Sequence, residues 1–92
     1  MNNTDITKAA ALLKTMANEK RLKILFHIAD KELSVGEIEK LVNLSQSALS
    51  QHLAVFRAAR IVKTRRKAQT IFYSLKDERL KEVLKLLERL FG

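Results

Sequence analysis

The chain has 92 residues, with 18 Lys or Arg against 10 Asp or Glu and a formal net charge of +8. That is room for one small domain, residues 1–92, with little volume for a deep private catalytic cleft. The absence of Cys excludes disulfides, thiolate metal sites and cysteine nucleophiles, and the absence of Pro with only two Gly predicts a mainly helical chain.

Ile6, Ala9, Ala10, Leu12, Leu13 and Met16 recur at helical spacing, which predicts an amphipathic helix over 5–16 with Asp5 in its acidic first turn. Asn18 can cap a second helix that places Leu22, Leu25, Ile28 and Ala29 on one stripe. Ser34-Val35-Gly36-Glu37 has the spacing of a capping box and opens a third helix through Ile38, Leu41 and Val42. Asn43 ends it and Ser45 caps a fourth. Two short helices across so tight a turn predict a helix-turn-helix.

At 100° per residue the fourth helix divides into two faces. Ala48, Leu49, His52, Leu53, Val55 and Phe56 fill one, and Gln46, Ser47, Ser50, Gln51, Ala54 and Arg57 the other. Ordinary solvent faces favour Lys and Glu. Short uncharged hydrogen-bonders let a helix approach base edges closely, and Gln can pair bidentately with adenine. The alternative is a surface helix that is simply uncharged. Residues 61–66 and 70–75 then read as strands, with Ile71, Tyr73 and Leu75 alternating against Thr70, Phe72 and Ser74. Lys67, Ala68 and Gln69 fall at the turn, so the hairpin is a wing with a basic tip. A last helix over 77–91 carries Leu80, Val83, Leu84, Leu87, Leu90 and Phe91 on a broad apolar side. With Ile6 and Leu13 of the first helix, this exceeds what so small a core needs and predicts a two-fold homodimer through the terminal helices. A basic amphipathic helix could instead lie on a membrane, but Glu78, Glu82 and Glu88 offset Lys81, Lys85 and Arg89.

None of the ten acids falls between Lys40 and Lys76, a window of 37 residues holding eight cations: Lys40, Arg57, Arg60, Lys63, Arg65, Arg66, Lys67 and Lys76. The remainder of the chain nets to zero, so the whole excess belongs to one segment. Such concentration is the footprint of a polyanion-binding surface, against the alternative of a solvated basic face. The expected arrangement on double-stranded DNA places Gln46, Ser47, Ser50 and Gln51 on base edges. Arg57, Arg60, Lys63, Arg65, Arg66 and Lys67 then lie on phosphates or in the minor groove.

Met16-Ala17-Asn18-Glu19, Arg21-Leu22, Glu32-Leu33-Ser34-Val35-Gly36-Glu37-Ile38, Leu44 to Leu53 and Gln69 to Leu75 match, in order, segments of a known family. The chain resembles the ArsR/SmtB winged-helix regulators from about Leu12 onward, and within them the HlyU/BigR-like subgroup. The resemblance implies a mainly helical winged helix-turn-helix with a β-hairpin wing. It also implies a homodimer on a roughly palindromic operator, with the fourth helices in major grooves about 34–36 Å apart. Ser34 and Gly36 stand where soft-metal sensors carry thiolates, and the last helix has no His for zinc. Phe26 and approximately Gly92 stand where the subgroup often carries two switching Cys. Ala59-Arg60 and Ala68 stand where the family often has Gly.

His27 and His52 are dispersed, and with no Cys they form no ligand set, so neither metal nor cofactor is expected. His52, within the apolar arc, reads as a packed and hydrogen-bonded residue. No nucleophile–base set or phosphate-cradling Gly loop is present, so no enzymatic activity is expected. The longest apolar run is the five residues from Ala9 to Leu13, far below the roughly 20 of a membrane span. Met1-Asn2-Asn3-Thr4-Asp5 lacks the features of a secretion signal, so the expected location is the cytoplasm. Three roles fit this reading: a site-specific dimeric regulator (a repressor or anti-repressor), an architectural DNA-binding protein of low specificity, and a module whose terminal helices bind a different chain.

Overall fold

In the computed structural model, which describes residues 1–92, five helices and three strands follow one another. They are α1 (Asn3–Met16), α2 (Glu19–Ile28), β1 (Leu33–Ser34), α3 (Val35–Val42), α4 (Gln46–Ala58), β2 (Val62–Lys67), β3 (Thr70–Leu75) and α5 (Glu78–Phe91). Every helix starts at a short polar side chain that accepts an otherwise orphaned backbone N–H: Asn2, Asn18, Ser34, Ser45 and Asp77. Each such cap is worth about 1 kcal/mol. Asn2 and Asp5 form a reciprocal capping box. It draws the start of α1 back to Asn3, ahead of the Asp5 expected from apolar spacing alone.

The expected hairpin is present, and it is part of a larger sheet. β1 pairs antiparallel with β3, giving the strand order β1-β3-β2. Two residues are too few to show a period of two, and Ser34 is also the cap of α3, so β1 was not legible as a strand. Leu33 and Thr64 flank Tyr73, while Ser34 and Arg65 flank Phe72. Because side chains alternate along strands, the sheet has an inner face carrying Leu33, Val62, Tyr73 and Leu75, all buried. Its outer face carries Lys63, Arg65, Phe72 and Ser74.

The core consists of 16 buried residues, every one apolar or aromatic. No buried side-chain nitrogen or oxygen lacks a partner, as native interiors require. Leu80 and Leu84, assigned above to an interface between copies, are 0% and 2% exposed and belong to the protomer's own core. The apolar side of α5 is wide enough to serve two surfaces. Its Leu80–Leu84 stripe turns inward, Val83 and Leu87 are half-buried, and Leu86, Leu90 and Phe91 remain exposed.

Candidate nucleic-acid interface

The α3–α4 turn depends on one unusual backbone residue. Asn43 caps α3 in the left-handed region at φ 53, which Asn tolerates better than most residues. Ser45 then starts α4 by accepting from Ala48 N–H at 3.2 Å. Lys20 Nζ, from α2, donates to the carbonyl of Val42 at 3.3 Å, fastening the end of α3 to the body. Leu49, Leu53 and Phe56 anchor α4 in the core, whereas Gln46, Ser47, Ser50, Gln51, Ala54 and Arg57 are all exposed. The division into faces follows the sequence residue for residue.

His52 sits at the flank of α4 against α2. Arg21 Nε donates to its Nδ1 at 3.1 Å, and Arg21 Nη1 reaches the carbonyl of Thr15 at 3.5 Å. One guanidinium thus ties together the end of α1, α2 and α4. Accepting from Arg21 requires an unprotonated Nδ1. Burial, and then the Arg21 charge, lower the imidazole's pKa below its ordinary value.

The exit from α4 is a Schellman motif. Ile61 N–H donates to Phe56 O at 3.3 Å and Arg60 N–H to Arg57 O at 3.0 Å, with Arg60 at φ 58. Buried Ile61 packs as the motif's apolar partner for Phe56. The wing tip is a two-residue turn between Lys67 and Thr70, and Ala68 holds φ 56. Hairpin turns matched to strand twist need positive φ there. The two positions that resemble Gly positions of the family therefore adopt the backbone that favours Gly, with Arg60 and Ala68 in place.

The cations of the basic window differ in what they touch. Arg57 Nη1 donates to the Tyr73 hydroxyl at 2.6 Å, linking α4 to the inner face of the wing. Arg65, on the outer face, grips Glu32 with Nε at 2.9 Å from Oε2 and Nη2 at 2.7 Å from Oε1. Its guanidinium lies 4.6 Å from the Phe72 ring centroid. The hydrogen bond from Arg65 holds the Glu32 carboxyl below its ordinary pKa. The basic window is thus free of acids in sequence and still acquires one in space. Arg60, Lys63, Arg66 and Lys67 are exposed and make no ion pair. Arg66 shares the inner-face parity of Thr64 and Tyr73, and Lys67 closes the strand at the tip. Neither Glu32 nor the anchoring hydroxyl of Tyr73 was picked out from the sequence, since their partners lie 33 and 16 residues away.

Away from this surface, Leu22, Phe26, Leu87, Glu88, Phe91 and Gly92 line a groove of about 370 Å³ between α2 and α5. The two positions resembling the family's switching cysteines, Phe26 and Gly92, line the same groove. No three His, Cys, Asp or Glu side chains come together as a metal site, and no helix is long and apolar enough to cross a membrane.

A helix-turn-helix whose second helix exposes an uncharged hydrogen-bonding face, followed by a basic β-hairpin, defines a winged-helix DNA-binding protein. The family model for bacterial regulatory proteins of the arsR family matches residues 18–64. The chain is 55% identical over 84 residues to the transcriptional activator HlyU of Vibrio cholerae, spanning 91% of this chain and 78% of that protein. It is 42% identical over 85 residues to a biofilm growth-associated repressor of Agrobacterium fabrum, spanning 92% of this chain and 73% of that one. The solved structure of Vibrio cholerae HlyU aligns with a TM-score of 0.93 at 51% identity over 98% of both chains. The chain belongs to the arsR family and is a DNA-binding transcriptional regulator, not an enzyme.

Proposed function

We propose that residues 1–92 act as one DNA-binding unit, and that two copies pair to bind a roughly palindromic operator. The observation that carries this reading is the face of α4 made of Gln46, Ser47, Ser50 and Gln51: exposed, uncharged, and backed by a fully buried stripe. These four side chains read base edges in the major groove. Arg60, Arg66 and Lys67 neutralise phosphates beside them, Lys63 adds to the local field, and Arg57 holds the wing to α4. Pairing is supported by Ile6, Leu13, Leu90 and Phe91, which stand 53%, 57%, 62% and 84% exposed on the terminal helices. Val83 and Leu87 flank the same side. Control follows from occupancy: the dimer represses, or displaces a repressor, by covering its site.

The test is selection of preferred duplexes from a random pool, then titration of the winner and a scrambled control at several salt concentrations. A palindromic winner bound roughly 10³-fold or more above the scramble is the expected result. Equal binding with a steep salt dependence would transfer the role to low-specificity architectural binding through the unpaired cations.

A further inference from the structure

Two adjacent arginines of the wing point to opposite faces of the sheet, and only one is free. Arg66 shares the face of Tyr73, which is bonded to α4, so it lies on the side from which α4 presents its polar face. Arg65 points the other way. It spans the whole sheet: from β2, over the Phe72 ring of β3, to Glu32 just ahead of β1. A fork-shaped guanidinium matched to a carboxylate fixes geometry as well as attraction, and stacking on the ring fixes its plane. An isolated hairpin is at best marginally stable, and β1 supplies only two residues to hold this one. The brace is therefore placed where the wing needs support.

We propose that Glu32 is a positioning residue for DNA binding. It holds Arg65 as a brace that sets the wing's angle, so that Arg66 meets the duplex while Arg65 does not. This rests on the operator-binding reading above. The brace lowers the cost of ordering the wing on binding, and its contribution is the two- to fivefold typical of an exposed ion pair of good geometry.

The decisive variant exchanges the charges, Glu32→Arg with Arg65→Glu, leaving net charge unchanged. The expected result is affinity for the selected duplex within about twofold of wild type and an unchanged salt slope. Arg66→Gln, by contrast, lowers the slope by about one. Loss of more than tenfold in the exchanged variant, with a flatter slope, would place Arg65 on a phosphate and overturn the proposal. A second measurement needs no DNA and no exchanged variant: ¹⁵N relaxation of the Arg65 side-chain Nε in the free protein. It should be rigid in wild type and mobile in Glu32→Gln. Equal mobility in both would overturn the brace even if the exchanged variant failed to fold. A wild-type protein that bound no duplex would defeat the operator reading while leaving this relaxation result to stand alone.

Discussion

Arg57 Nη1 donates to the hydroxyl of Tyr73 at 2.6 Å, joining the last turn of α4 to the middle of β3. The helix that faces the groove and the hairpin beside it are thereby linked directly, through a Tyr73 that is only 3% exposed. Tyr73→Phe keeps the ring and removes the hydroxyl. The guanidinium is exposed and can be rehydrated, so the expected cost is about 1 kcal/mol in urea unfolding, with the slope unchanged. An unaltered midpoint would mean that the bond does not persist in solution.

Ala68 occupies φ 56 at the wing tip. A residue with a Cβ in that region costs about 1–2 kcal/mol, partly offset by the greater chain entropy of Gly. Ala68→Gly should therefore raise stability by up to about 1 kcal/mol, read from the denaturant midpoint. Asn43 at φ 53 is the internal control. Its side chain tolerates the left-handed region, and Asn43→Gly should gain less.

The helix-turn-helix was legible because its signals are local. The Ser34 and Ser45 caps, the period of α4 and the alternation of β3 all act within a few residues, and each falls where the spacing placed it. What escaped was decided across the sheet. Arg65 lies on one edge strand and Glu32 just before the other, so a window without acids in sequence is still partly neutralised in the fold. Leu80 and Leu84 carry the same pattern as Leu90 and Phe91. Periodicity names an apolar side, and only packing decides which turns meet the protomer's own core and which are left bare.

His52 makes stability depend on pH in a defined window. Its folded-state pKa is depressed below 6.5 by burial and by Arg21. Between that depressed value and 6.5 the unfolded chain binds more protons than the folded one. Stability is thus full above about pH 6.5 and falls as pH drops through the window, levelling off below the folded pKa. Glu32, Glu37 and Asp77 are held below ordinary values of 4.5, 4.5 and 3.8, so their losses come at lower pH. In His52→Gln, the amide oxygen can accept from Arg21 without titrating. Comparing urea midpoints at pH 7.5 and 5.5, wild type should lose more than the variant. Equal losses would assign the dependence elsewhere.

Gln51 tests the assignment of base contacts. It is exposed on α4, and no hydrogen bond within the protomer uses its amide. Gln51→Ala should leave folding unchanged and relax the selected sequence at one position of each half-site, a loss of discrimination of about 1–3 kcal/mol. Repeating the duplex selection with the variant checks it. An identical preferred site would move base reading to other residues of α4.

The terminal helices separate core from contact surface within a single element. Leu84 is 2% exposed, whereas Leu90 and Phe91 are 62% and 84% exposed on the same helix. Leu84→Ala should therefore cost about 2–5 kcal/mol whatever the state of assembly. The double change Leu90→Glu, Phe91→Glu removes little that the protomer itself buries. Its circular dichroism should match wild type, while sedimentation shifts from two copies to one. Affinity for a palindromic duplex should fall with it, because two half-sites then bind independently instead of through one rigid dimer. A double variant that still sediments as a dimer would remove Leu90 and Phe91 from the pairing surface and leave Ile6 and Leu13 of α1 as the next residues to change.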